Sequence, residues 1–132
     1  MRLVVSALLL GLAAPLAAQS SAVATSSGGA HSRSSVSVTA AFGRTVRINA
    51  LTLRPVAIVQ DSRCPADVQC VWAGQLIVDF KTAGRKRIRL EQGKPLAVGG
   101  GRLTLVGASP QPRAGHPIPP QHYRFQLRFE RP

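Results

Sequence analysis

The sequence predicts an all-β domain, either an antiparallel β-sandwich or a small barrel of about seven short strands. From position 36 onward, apolar residues alternate with a period of two, and no helical period stands out. Turn residues, mostly glycine and proline, separate the alternating segments. About 110 residues follow the N-terminal apolar stretch, which is enough for one domain with its own core.

The N-terminus has the pattern of a signal peptide. Arg2 precedes an uncharged apolar stretch that ends near position 18. This stretch is shorter than the ~20 residues that a spanning helix needs. Small residues before a polar break place cleavage after Ala18, or as late as Ala24. We therefore expect removal of residues 1–18, export to the periplasm or beyond the cell, and no transmembrane span after cleavage.

Residues 19–35 form a serine- and glycine-rich segment with almost no bulky apolar side chain. Such a segment buries too little apolar surface to offset the entropy lost on ordering. We therefore expect a flexible leader at 19–35, followed by a single all-β domain at 36–132.

Each alternating segment is predicted to be a strand. Pro55 cannot donate a hydrogen bond to a neighbouring strand, so it predicts a sheet edge or a bulge. The clearest strand is the last, in which Tyr123, Phe125, Leu127 and Phe129 should face the core while charged neighbours face water. The predicted strands lie at 36–42, 46–48, 51–59, 72–81, 85–90, 102–106 and 123–130.

Five prolines between positions 110 and 120 precede the last strand. They predict a stiff, extended connection rather than a tight hairpin. Such a connection can cross one end of a sandwich, as in Greek-key folds.

Cys64 and Cys70 are the only cysteines, and five residues separate them. An even cysteine count in an exported protein favours a disulfide, which for this short loop contributes ~2.4 kcal/mol in the chain-entropy model. A thioredoxin-like redox pair prefers two intervening residues, and a closed zinc site needs four ligands. We therefore expect a Cys64–Cys70 disulfide, no bound metal and no cofactor.

The cysteines lie within a specific motif, and this motif resembles that of small exported bacterial proteins carrying a DSRCP…C.WAG segment. The similarity covers most of residues 45–130, including a Leu-x-Leu strand at 103–105 and the Tyr-led last strand. It implies an exported all-β domain with paired motif cysteines, and it implies no reaction. The residues that carry it are Asp61, Ser62, Arg63, Cys64, Pro65, Cys70, Trp72 and Gly74.

Trp72 follows Cys70 by two residues and is the only tryptophan. Large aromatic side chains often cover disulfides in β-sandwiches, so we expect its ring to pack over the disulfide and the core. A binding role would require an exposed ring.

The chain has 17 Lys and Arg against 5 Asp and Glu. A field of this sign attracts polyanions, although a basic surface can also exist without a dedicated ligand. Strand alternation places Arg85, Arg87 and Arg89 on one exposed face, and Arg124 and Arg128 on another. If these strands are neighbours, the five guanidinium groups form one patch suited to phosphate or carboxylate groups. Because most aromatic residues lie on predicted core faces, specific nucleic-acid binding is not expected.

Catalysis is not expected either. Asp61 and Asp67 are the one close pair of carboxylates, and their ordinary role is hydrogen bonding in turns. The histidines, at positions 31, 116 and 122, have no Gly-x-Ser-x-Gly motif beside them. We therefore expect a non-enzymatic exported module that binds anionic envelope polymers or another envelope protein. The alternatives are an envelope structural or protease-inhibitor-like module that uses the Cys64–Cys70 loop, and a metal-binding protein or enzyme.

Overall fold

A computed structural model describes residues 33–132 as a β-sandwich of two four-stranded antiparallel sheets. The predicted all-β class is confirmed, with eight strands and a sandwich rather than a barrel. The predicted signal peptide at 1–18 and the leader up to residue 32 lie outside the described residues. The strands are β1 Ser35–Ala41, β2 Val46–Ile48, β3 Leu51–Asp61, β4 Leu76–Thr82, β5 Arg87–Glu91, β6 Leu96–Val98, β7 Gly101–Ser109 and β8 Arg124–Glu130.

The two sheets have a simple strand order. Sheet A is β1-β8-β7-β6, and sheet B is β2-β3-β4-β5. The chain passes from sheet A to sheet B after β1 and returns after β5. Pairing of β8 with β1, from Ser35 opposite Glu130 to Ala41 opposite Arg124, joins the two ends of the domain.

The core follows the predicted alternation of the last strand. Tyr123, Phe125, Leu127 and Phe129 are all buried, which confirms that prediction. From sheet B, Phe80 meets the Phe125 ring edge-on, with 6.0 Å between ring centroids. Complete burial of an apolar side chain of this kind stabilises the fold by about 1.5–3 kcal/mol. The sandwich is therefore held by side chains from both sheets.

Pro55 lies within sheet B, where β3 has neighbours on both sides. The β3–β4 register shifts between Pro55 and Ala57, so the predicted bulge is present. At a bulge the hydrogen-bond ladder between the strands is interrupted, so a proline without an N–H is tolerated there. The Pro55 carbonyl accepts a hydrogen bond from the Gly43 amide at 3.0 Å.

The proline-rich connection at 110–123 joins β7 to β8, which are neighbours in sheet A. It is not a tight hairpin, but the expected crossing of the sandwich is wrong, because β8 pairs with both β1 and β7. The connection instead packs on the segment between β3 and β4. There the Ala66 amide donates to the Pro112 carbonyl at 2.9 Å.

Candidate functional site

The segment at 62–75 between β3 and β4 contains most of the motif and is here called the cysteine loop. Cys64 and Cys70 form the predicted disulfide, with 5.8 Å between their Cα atoms. The loop is closed at its base, where the Ser62 amide donates to the Gln75 carbonyl at 2.8 Å. The Ser62 Oγ accepts from the Gln75 amide at 2.9 Å. A Cβ added to Gly74 would collide with the Ser62 carbonyl oxygen, so this base requires glycine.

Asp61 and Arg63 anchor the loop to the core. The Asp61 carboxylate accepts from Arg63 Nε and Nη2, each at 2.8 Å, and from the Tyr123 hydroxyl at 2.6 Å. Arg63 Nη1 also donates to the Ala108 carbonyl at 2.7 Å, which ties the loop to β7. The Asp61 and Arg63 side chains are only 10% and 9% exposed. This buried cluster therefore fixes where the loop leaves the sandwich.

The ionisation of this cluster is set by its contacts. Burial opposes ionisation of Asp61, but hydrogen bonds from Arg63 and Tyr123 outweigh it and lower the Asp61 pKa. Burial, together with the hydrogen bond to Asp61, raises the pKa of Tyr123 to about 12. Tyr123 therefore remains a neutral donor and Asp61 an ionised acceptor, an arrangement that suits an anchor between the loop and the core.

Asp61 and Asp67 have separate hydrogen-bond partners. Asp67 accepts from the Ala114 amide at 3.0 Å, and this hydrogen bond lowers the Asp67 pKa. Asp61, the last residue of β3, and Asp67, in the cysteine loop, therefore both accept hydrogen bonds from within the protein. Within residues 33–132, no group of three or more potential metal ligands occurs, and no helix is long and apolar enough to cross a membrane. His31 lies outside the described residues.

The expected burial of Trp72 is wrong. Its side chain is 82% exposed, and that of Val71 is 89% exposed. The reason is local: β4 begins at Leu76, and the chain before it is not extended as a strand. The period of two that ends at Phe80 therefore cannot be counted back to Trp72. Val68 is also exposed, and these three apolar residues of the cysteine loop are here called the apolar tip.

The condition for a single arginine patch, that the two arginine-bearing strands are neighbours, is not met. Arg87 and Arg89 lie on β5 in sheet B, whereas Arg124 and Arg128 lie on β8 in sheet A. Arg85 is not on a strand at all, because the chain turns after Thr82 and Arg85 has a positive φ of 60°. All five side chains are exposed, but they occupy different surfaces.

Two of these arginines neutralise Asp79 on the outer face of sheet B. Asp79 is 3% exposed, with Arg89 Nε at 2.7 Å and Arg87 Nη1 at 3.7 Å. The hydrogen bond from Arg89 lowers the Asp79 pKa despite burial. On sheet A, Arg128 pairs with Glu130 at 3.2 Å. Part of the expected patch is thus engaged within the protein.

The register of sheet B creates a basic surface that the sequence did not reveal. Arg54 on β3 lies opposite Lys81 on β4, and Lys81 lies opposite Arg87 on β5. These residues form a cation row across three strands. Arg54 and Lys81 have no ion pair with any described residue from 33 to 132. Alternation alone would place each of them outward, but it cannot show that they face one another.

Comparison of the chain with protein-family models, with curated proteins and with solved structures finds no match.

Proposed function

We propose that the protein is an exported, non-enzymatic binding module whose sheet B attracts anionic envelope polymers. The observation that carries this proposal is the cation row, in which Arg54, Lys81 and Arg87 lie directly opposite one another. Export is supported by the N-terminal sequence and by the disulfide, which persists in oxidising compartments.

The row concentrates positive charge over a short distance. Neighbouring strands are ~4.8 Å apart, so the three residues span about 10 Å, close to the ~8 Å Debye length at physiological salt. Like charges directly opposite each other destabilise a sheet. A bound polyanion would relieve this repulsion, and its affinity would fall as salt screens the attraction.

Sheet A is a weaker candidate because its arginines surround a carboxylate. Arg102 lies opposite Glu130, and Arg128 is bonded to the same Glu130 side chain. On sheet B, Arg87 is likewise paired with Asp79, but Arg54 and Lys81 lie directly opposite each other and neither has an ion pair among residues 33–132. Sheet B is favoured because these two unpaired cations are direct neighbours.

Two matched triple variants test this proposal on a heparin column, used as a polyanion of high charge density. In the first, Arg54, Lys81 and Arg87 are changed to Gln. In the control, Arg102, Arg124 and Arg128 are changed to Gln, which removes the same formal charge. We expect the first variant to elute at clearly lower salt than the control. Equal shifts in the two variants would show that net charge alone, rather than the row, governs binding.

A second candidate function uses the apolar tip, as in the protease-inhibitor-like alternative. The observation that favours it is the exposure of Val71 and Trp72 on a loop held by a disulfide and a buried ion pair. A rigid loop loses little entropy on binding, and exposed tryptophan is a frequent anchor in protein interfaces. This function would require a partner protein with an apolar cleft.

A photo-crosslinking amino acid placed at position 72 tests this second function in exporting cells, with the same amino acid at position 113 as the control. We expect one envelope protein to be captured from position 72 only, and its capture to be lost with Val71→Ser. The absence of an adduct at 72, or the same adducts at both positions, would argue against a binding role for the tip.

A further inference from the structure

We propose that a cavity beside the β4–β5 turn is a discrete site for one tetrahedral oxyanion, a phosphate or sulfate group. This inference rests on the proposed function and specifies the ligand chemistry of the same sheet. The site is here called the anion seat. Its polar lining consists of Thr45, Thr52, Arg54, Lys81, Thr82 and Arg85.

The composition of the seat fits an anion. The cavity has a volume of about 400 Å³, and its lining contains three cationic side chains, three hydroxyl groups and no carboxylate. Arg54, Lys81 and Arg85 have no ion pair among residues 33–132, which hold all the acidic side chains of the chain. Guanidinium groups donate in pairs to phosphate oxygens, and hydroxyl groups can donate to the remaining ones.

Arg85 gives a second, independent indication. Its φ of 60° lies in the left-handed region, while the adjacent Gly84 does not have a positive φ. A non-glycine residue in this region is strained, because its Cβ comes too close to the following carbonyl oxygen. The turn is closed by the Arg85 amide, which donates to the Thr82 carbonyl at 3.0 Å. An arginine thus occupies a position where glycine would be less strained, and its side chain lines the seat.

A phosphate or sulfate ester matches the seat better than a single carboxylate does. It presents three peripheral oxygen atoms, and a phosphate monoester has a charge of about −1.5 to −2. Three cations and three hydroxyl groups from β3, β4 and the adjoining turns can satisfy such a group from several sides. The source of this group is either an ester within an envelope polymer or free inorganic phosphate.

The test is an NMR titration of the full exported protein, labelled with nitrogen-15, against inorganic phosphate and methyl phosphate. Sodium chloride at matched ionic strength is the control. We expect saturable shifts of the amides at 83–86 with the phosphates and none with chloride. The double variant Thr52→Val and Thr82→Val keeps every charge and should abolish saturation. Tighter binding of methyl phosphate would indicate an ester source, and tighter binding of inorganic phosphate a free one.

Arg85→Gly gives a variant that should fold at least as well as the parent. Because it relieves the positive φ, we expect its thermal midpoint to equal or exceed that of the parent. It should bind phosphate about tenfold more weakly, since it loses one charge-assisted contact. Arg124→Gln removes the same charge from sheet A and should change phosphate affinity little.

The seat and the proposed function can fail separately. Shifts that never saturate, or that saturate equally in the threonine double variant, would overturn the seat. Heparin retention should fall only in part in the threonine variant, because heparin sulfate groups can occupy the seat but the variant keeps every charge of the basic face. Normal retention with no saturable phosphate binding would therefore reject the seat and keep the basic face. Saturable phosphate binding without salt-sensitive heparin retention would support the seat as a site for free phosphate and reject polymer binding.

Discussion

Arg63 donates two hydrogen bonds of 2.8 Å to the Asp61 carboxylate, and both side chains are about nine-tenths buried. The same Arg63 donates to the Ala108 and Pro110 carbonyls of sheet A and the following loop. One guanidinium therefore links the end of β3 in sheet B to the end of β7 in sheet A. The cysteine loop leaves the sandwich from this link, so its direction depends on the pair.

We predict that Arg63→Gln strongly destabilises the protein. Removal of one partner from a buried ion pair leaves an uncompensated charge, which costs about 3–5 kcal/mol. The measurement is the free energy of unfolding in urea. Arg113→Gln, an exposed arginine on the neighbouring loop, is the control and should change it by less than about 0.5 kcal/mol. Equal effects of the two variants would show that the pair does not anchor the loop.

We predict that the Tyr123 hydroxyl titrates at higher pH in the folded protein than in the unfolded chain. Its folded pKa of about 12 exceeds the value of about 10 expected for the unfolded chain, so this group's contribution to stability is lost as pH rises between these values. Tyr123 is the only tyrosine, so its phenolate absorbance can be followed directly. A folded-state midpoint near the value in denaturant would contradict the buried contact with Asp61.

Asp61 predicts a loss of stability at low pH, whereas Tyr123 predicts one at high pH. Its pKa lies below the ordinary 3.8, so its contribution to stability is present above that pH and is lost as pH falls through the folded pKa. Tyr123→Phe removes one of the hydrogen bonds that lower this pKa. Urea unfolding across acid pH should therefore show a weaker pH dependence for Tyr123→Phe than for the parent. If the unfolding free energies of Tyr123→Phe and the parent depended on acid pH in the same way, the Tyr123 hydroxyl would not lower the Asp61 pKa.

Trp72→Ala should leave stability almost unchanged, within about 0.5 kcal/mol, because the ring is exposed. A buried tryptophan would cost about 3–5 kcal/mol instead. Phe125→Ala, in the core, is the matched aromatic control and should show that larger cost. Iodide quenching of the single tryptophan gives an independent measure, and a protected indole would contradict the exposed tip.

Gly74→Ala should destabilise the protein by about 1–3 kcal/mol, because an added Cβ would meet the Ser62 carbonyl oxygen. Gly84→Ala is the control: its Cβ would have no atom within 4 Å and its φ is not positive. This control should be neutral or slightly stabilising, since alanine restricts the unfolded chain. If the two variants unfold at the same urea concentration, the base of the loop is not closely packed.

The features that the sequence predicted well depend on local patterns. Alternation identified the buried face of β8 from Phe125 to Phe129, because it follows from strand geometry. Pro55 indicated a sheet edge or a bulge because it has no amide to donate, and the structure has the bulge. The disulfide followed from an even cysteine count together with an N-terminal sequence typical of exported proteins. These inferences need no knowledge of which strands are neighbours.

The features that were missed depend on turns and on strand pairing. Arg85 was assigned to a strand because the turn after Thr82 extends further than Ala83 and Gly84. Trp72 was assigned to the core because alternation was extended back through a segment that is not a strand. The cation row depends on the register of β3, β4 and β5. The sequence around Arg54 does not specify which residues of the neighbouring strands lie opposite it.

The proposal that the cation row binds polyanions is tested most directly by the salt dependence of affinity. The probe is a single-stranded oligonucleotide of arbitrary sequence, titrated from about 50 to 200 mM salt, where each phosphate contact contributes ~0.7 to the slope of log affinity against log salt. The variant with Arg54, Lys81 and Arg87 changed to Gln should lose about 2 units of slope relative to the parent. The Arg102, Arg124 and Arg128 control should lose much less. A row variant with the parent's slope, or a control that loses as much slope as the row variant, would contradict binding through sheet B.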